Sequence, residues 1–339
     1  MELHQIDTMT DAEWDKAISS YDSKYLFHQS SWLNFVKESH NGRIVRLKIV
    51  ENGNVSGYFC GIIIKKGPLR ILGSPLKGWN TTFMGPIVNK GFDYENFLKA
   101  IERVCKKWGI HHIEMSNPFL DNDVFMNNKF FANEEITMIV PLSSDEEENW
   151  KNLKSECRNR IRKGKKNNLV IQDTDDPAFV DEFYAQLKEV FGRQNLVPTY
   201  PVERIKNLFN HLKPAGLLYT LEVKYDNEVV ATGVFPYDDR CVYYLGGASW
   251  KKAHKLYPNE LLHWTVMTMA VQKGIKEYDM TGRDRGNFKA KFGSKPFVYK
   301  HYFKSYSPIA KIGREAYKFF FYAQQKIKGK FIKGNSEVQ

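Results

Sequence analysis

The sequence predicts two tandem α/β domains with mixed sheets, and three observations carry that prediction: chain length, an internal duplication, and the order of periodicities within each copy. At 339 residues the chain exceeds the size at which a single core keeps growing, so two cores of roughly 150 residues are expected. The duplication is loose but ordered. In each copy two alternating runs meet at a tight bend, and a segment of helical period then stops at a glycine before a short strand. A hairpin whose chain crosses by a helix to a parallel strand makes a mixed sheet.

The first hairpin is Arg46 onward, RLKIVENGNVSGYFCGIII, with Asn52-Gly53 at the bend, a pair suited to the positive backbone angles of two-residue turns. Its counterpart is YTLEVKYDNEVVATGVF from Tyr219, with Asp226-Asn227 at the bend. Phe97, Ile101, Val104 and Trp108 recur at helical spacing until Gly109 ends the run and IHHIEMS follows. The second copy has Leu261 to Lys273, then Gly274, then IKEYDMT, so KWGIHHIEMS and QKGIKEYDMT pair their glycines, their isoleucines and the acidic Glu114 and Asp279. Domain one is expected over 1–145, domain two over 150–305 and a basic aromatic tail over 306–339, with the acidic, polar Ser143 to Glu148 as the boundary.

A net charge of +11 favours anionic partners: nucleic acid, phosphorylated substrates or a membrane surface. Cys60, Cys105, Cys157 and Cys241 are far apart in the chain, which indicates neither a disulfide framework nor a zinc site and suits a reducing cytoplasm. His111-His112 reads as part of a strand, with no metal expected. No window approaches the roughly 20 apolar residues needed to span a bilayer, and the start, Met1-Glu-Leu-His-Gln, has no signal-peptide pattern. A cytoplasmic monomer is expected.

Four stretches, taken in order, resemble one family. They are Phe27-His28-Gln29-Ser30-Ser31-Trp32 with Val36-Lys37, then Arg158-Asn159-Arg160-Ile161-Arg162-Lys163, then Asp279-Met280-Thr281-Gly282, then Phe288-Lys289 with Phe292-Gly293. Together they resemble the Fem family of aminoacyltransferases, within the GNAT (acetyltransferase) superfamily. The resemblance implies two tandem GNAT-like domains without the coiled-coil arm of some members. It also implies transfer of an aminoacyl group from aminoacyl-tRNA to an amine of a peptidoglycan or other envelope precursor, nucleotide- or lipid-linked, with no tightly bound cofactor. Acyl-CoA-dependent N-acetylation of an amino sugar or small amine shares the fold and stays open, as does a non-catalytic module for RNA or anionic lipid.

Trp150 to Lys166 carries eight Lys/Arg against Glu156 alone. Its spacing predicts one helix, with Trp150, Leu153, Cys157 and Ile161 as an apolar stripe beside Lys151, Lys154, Arg158 and Arg162. It is either a solvated face or a grip on phosphate, for which Arg offers a bidentate fork. The resemblance adds Lys37 and Arg193 as diphosphate ligands, and Lys289 as the family lysine that meets the tRNA or its activated ester. Arg283 and Arg285, between Gly282 and Gly286, suggest an anion-binding loop. Gly246-Gly247 is either a loop pair or, as in the GNAT fold, the bulged central strand whose N–H, here at Gly247, polarises the donor carbonyl. Asp279 and Asp284 are the carboxylates nearest this site, so Asp279 joins Lys289 and Gly247 as a candidate catalytic residue; proton transfer assisted by the substrate is the alternative. Where acetyl-CoA enzymes carry a glycine-rich diphosphate loop, Ser249 to Glu260 holds no glycine, which turns the donor away from CoA. Ile309 to Lys333, with seven Lys/Arg and Phe319-Phe320-Phe321-Tyr322, is read as a helix that packs on domain two or lies on anionic membrane.

Overall fold

The computed structural model describes residues 1–284 and 286–313. Arg285, and the expected tail helix beyond Gly313, lie outside the described residues. The described chain divides into two compact units, one of 1–135 with 298–313 and the other of 136–297.

The chain opens with β1 (Glu2–Gln5), α1 (Asp11–Ile18) and α2 (Ser30–His40). Thr10 and Glu13 form a reciprocal capping box at the start of α1, which satisfies two otherwise orphaned N–H groups. The expected hairpin is β2 (Arg43–Glu51) and β3 (Asn54–Lys66), with Asn52 and Gly53 at φ 49° and 78°. There follow β4 (Leu69–Ser74), β5 (Gly85–Val88), α3 (Tyr94–Lys107), β6 (His112–Ser116), α4 (Asn122–Asn127) and β7 (Phe131–Pro141). Asp93 caps α3 and Gly109, at φ 61°, ends it, while Phe97, Leu98, Ile101 and Cys105 are buried, at roughly 1.5–3 kcal/mol for each large side chain.

One expected element is corrected. Trp150 to Lys166 is not one helix but two, α5 (Glu146–Asn152) and α6 (Ser155–Lys166). Leu153 and Lys154 between them are extended, at ψ 144° and 148°, and the Lys154 N–H donates to the Lys291 carbonyl at 2.9 Å instead of continuing the ladder. Ser143 to Glu148 holds the Asp145 cap and the first turn of α5.

After β8 (Val170–Asp173), α7 (Ala178–Gly192) and α8 (Val202–Leu212) comes the second hairpin, β9 (Leu218–Tyr225) and β10 (Glu228–Pro236). Asp226 and Asn227 turn it at φ 49° and 65°. Then follow β11 (Cys241–Tyr243), β12 (Gly246–Ser249), α9 (Pro258–Gln272), β13 (Glu277–Asp279) and β14 (Lys295–Ser305). Helix α9 buries Leu261, Leu262, Trp264, Val266, Met267 and Ala270, apolar on nearly every side as a central helix must be.

In the first unit the strands run β1-β2-β3-β4-β6-β14, with β5 also on β3. In the second, β7-β13-β11 form one set and β12-β10-β9-β8 the other. The duplication extends to the pairing. Strand β4 lies parallel to β6 while β5 lies antiparallel to β3, and β11 lies parallel to β13 while β12 lies antiparallel to β10.

Candidate active site

The second unit changes sheets at Tyr244-Leu245. Up to that point β11 follows β13, Tyr243 opposite Asp279. The Tyr244 N–H then donates to the Asp279 carbonyl at 2.8 Å, and the next N–H, of Leu245, donates to Val234 on the other side at 3.1 Å. Beyond it, β12 pairs only with β10, so β12 and β13 part at the C-terminal end of β13. Sheet ends where neighbouring strands separate are where α/β proteins place ligands.

Gly246 and Gly247 are the first residues of β12, not a loop pair. A Cβ on Gly247 would stand 2.9 Å from the Tyr244 hydroxyl and 3.3 Å from the Thr232 carbonyl, and one on Gly246 would touch the Phe183 ring at 3.4 Å. Glycine here lets aromatic rings close over bare backbone. Gly247→Ala is therefore expected to displace Tyr244 and lower kcat/KM roughly tenfold to a hundredfold, since a displacement of about 1 Å at a reacting centre has that scale. Steady-state kinetics beside an unchanged far-UV spectrum checks it.

Asp279 is fully buried. Its Oδ1 accepts from the Thr137 hydroxyl and, at 2.7 Å, from the Thr281 N–H, while Oδ2 has no hydrogen-bond partner. Burial pushes its pKa up to about 6, against the pull of the two donors and of the Lys289 charge. Thr281 ties the two strand ends together, its hydroxyl donating to the Tyr244 carbonyl at 2.6 Å. The Lys289 ammonium donates to the carbonyls of Thr281 and Gly282, the latter at 2.9 Å. Lys289 opens the 3₁₀ turn Lys289–Phe292, which Gly293 ends at φ 78°. Phe288 and Phe292 pack on buried His263, ring centroids at 5.2 and 5.0 Å, and so act as core anchors for that turn. His263 faces the Tyr278 hydroxyl at 2.5 Å, and burial lowers its pKa to about 3.

The structure thus brings Asp279, Lys289 and Gly247 to one end of the second unit. The basic candidates come from several elements. Arg158 donates to the carbonyls of Lys151 and Leu153, at 3.0 and 2.5 Å, which closes the end of α5. Arg162 is exposed, over the Trp150 ring at 5.3 Å. Arg193, at the end of α7, pairs with Glu189 at 3.4 Å and meets His254 at 3.3 Å. Arg283 is exposed. Lys37 lies on α2 of the first unit. Asp284 is a loop cap rather than a free base: burial would raise its pKa, but the N–H groups of Ala290 and Gly286, at 2.8 and 3.3 Å, hold it low.

Of the two histidines expected in a strand, His112 lies in β6, bonded to Glu114 at 3.0 Å, and His111 just precedes it. Among the described residues no group of three or more His, Cys, Asp or Glu could hold a metal ion, and no helix is long and apolar enough to cross a membrane. The glycine-free stretch forms a 3₁₀ helix, Lys251–Leu256, and then Tyr257 at φ 60°. It holds no glycine, the residue on which the backbone cradle of a CoA diphosphate loop depends. Thr137 and Tyr244 escaped sequence reading, and Thr281 and Glu260, though inside quoted stretches, were given no role there, since their partners are distant in the chain.

Residues 151–300 match the family model for the acetyltransferase (GNAT) domain. A search of curated proteins returns no match. Among solved structures the chain is similar to FemX, at a TM-score of 0.71 and 16% identity over 88% of this chain and 97% of that one. It is also similar to L-PGS from Bacillus licheniformis (TM-score 0.56, 11% identity, 89% of this chain and 95% of that one). A tandem GNAT protein from the clavulanic acid biosynthesis pathway matches at TM-score 0.54 and 9% identity, over 91% and 99% of the two chains. The chain thus carries a GNAT acetyltransferase domain over residues 151–300 and has a FemX-like fold.

Proposed function

We propose that this enzyme moves an aminoacyl group from aminoacyl-tRNA to an amine of a cell-envelope precursor, with the second unit as its catalytic half. The observation that carries this reading is the buried Asp279 carboxylate, whose Oδ2 has no partner where β12 leaves β13. The acceptor nitrogen attacks the ester carbonyl of the donor. A C–N bond forms, the ester C–O bond breaks, and the amine proton passes to Oδ2 of Asp279 and on to the departing ribose oxygen. Gly247 lies on the strand from which a backbone N–H would meet the carbonyl oxygen. Lys289 holds the Thr281-Gly282 backbone beside Asp279.

The FemX-like fold, the ordered Fem motifs and the glycine-free Ser249 to Glu260 stretch all favour aminoacyl-tRNA over CoA. Exposed Arg162 and Arg283 suit its phosphates; Arg158 serves indirectly, by fixing the start of α6. The fold is also similar to that of the C-terminal domain of a putative lysylphosphatidylglycerol synthetase from Agrobacterium fabrum (TM-score 0.56, 12% identity), which puts a lipid among the acceptors to try. Radiolabelled aminoacyl-tRNA or acetyl-CoA would be offered with a nucleotide-linked muropeptide or with phosphatidylglycerol vesicles. Label is expected to leave aminoacyl-tRNA for an envelope acceptor; transfer from acetyl-CoA alone would overturn the reading.

A further inference from the structure

Helix α9 starts at Pro258, with Tyr257 before it in the left-handed region and no side-chain cap on its N–H groups. Unmatched N–H groups and the positive end of the helix dipole make such a start attractive to anions. Here an anion is built in. Glu260 stands in the first turn and is 5% exposed. Its Oε1 accepts from Arg160 of α6 at 2.8 Å and from Lys291 of the Lys289–Phe292 turn at 3.4 Å.

Helix α6 also covers the place. A Cβ on Gly164 would come within 3.2 Å of the Tyr257 carbonyl and 3.3 Å of the Leu261 side chain, so the two helices touch where only glycine fits without displacement. Arg160 and Lys163 lie over the Tyr257 ring at 5.9 and 5.5 Å. The start of α9 therefore faces protein, and its charge is met by a carboxylate held between two cations.

We infer that Glu260 is a specificity-determining residue, an internal anion that occupies the position a donor's diphosphate would take at α9 and so excludes CoA and other nucleoside-diphosphate donors. A diphosphate could enter only by displacing a buried carboxylate from Arg160 and Lys291, and the like charges would repel during the exchange. The inference deepens the proposed choice of donor and rests on that reading for its biological consequence alone.

The test is calorimetric titration of inorganic pyrophosphate and of CoA into the full chain. Wild type is expected to show no saturable binding at millimolar ligand. Glu260→Gln keeps the shape of the side chain but removes the buried negative charge between Arg160 and Lys291, with Arg160 still paired to Glu156 at 2.5 Å, and should bind pyrophosphate at least tenfold more tightly. Adding Arg160→Met should remove that gain. Thermal melts establish that each variant is folded. A folded Glu260→Gln protein that binds no better than wild type overturns the inference. So does saturable binding of CoA or pyrophosphate by wild type, an arm that needs no variant. Because pyrophosphate carries no acyl group, these results are independent of aminoacyl-tRNA turnover: a missing gain beside normal transfer sinks only this inference, and a gain beside no transfer sinks only the proposed donor.

Discussion

Asp279→Asn is expected to lower kcat by at least a hundredfold, the lower end of what general-base catalysis supplies, while leaving the protein folded. The amide oxygen can still accept from the Thr137 hydroxyl and the Thr281 N–H, as Oδ1 does now, but the group can take no proton. Stability should move the other way. Burial raises the folded pKa of Asp279 from 3.8 to about 6, so the folded state binds the proton more tightly than the unfolded chain. Its contribution is therefore greatest below the unfolded value, and it is lost as pH rises through about 6, by about 3 kcal/mol. The asparagine variant should not share that loss. Its melting temperature relative to wild type should rise between pH 5 and pH 8, as its activity disappears. Wild-type kcat should fall on the acid side of about pH 6, where Oδ2 becomes protonated. A variant with more than a tenth of wild-type turnover at pH 8 would remove Asp279 from proton transfer and favour transfer assisted by the substrate.

The acid that the duplication pairs with Asp279 shows how far sequence reading reaches. Glu114 sits opposite Gly73 on the parallel pair β4 and β6, as Asp279 sits opposite Tyr243 on β11 and β13, so aligning two ten-residue stretches located both strand positions. Their chemistry could not be read the same way. Glu114 is buried, which would raise its pKa, yet bonds from His112 at 3.0 Å and His301 at 2.7 Å hold it far below the carboxylate range. The Lys77 N–H adds a third at 3.0 Å. His301 is 187 residues away in the chain, and Thr137 is 142 residues from Asp279. Whether a carboxylate is clamped or keeps an oxygen unbonded depends on such distant partners, and no periodicity reports them. The hairpins were legible because two-residue turns need particular residues at positive φ. The break between α5 and α6 was not, because Leu153 and Cys157 continue a helical spacing across it; what ends α5 is the pull of the distant Lys291 carbonyl on Lys154.

Lys289→Met is expected to reduce kcat about thirtyfold, some 2 kcal/mol on the barrier scale, with the far-UV spectrum unchanged. Methionine preserves most of the side-chain bulk but gives up the bonds to the Thr281 and Gly282 carbonyls. Those carbonyls belong to the segment that supplies Asp279 with the Thr281 N–H, so the loss reaches the carboxylate in two ways. The loop loosens, and a positive charge that lowers the Asp279 pKa is gone. Removing a nearby cation disfavours the ionised carboxylate, so the acid limb of the variant's pH profile should move upward from about 6. That displacement identifies Lys289 as a positioning residue for Asp279. A comparable loss of kcat with the limb unmoved would instead place the ammonium on the donor ester, and turnover within about twofold of wild type, ~0.4 kcal/mol, would remove Lys289 from the site.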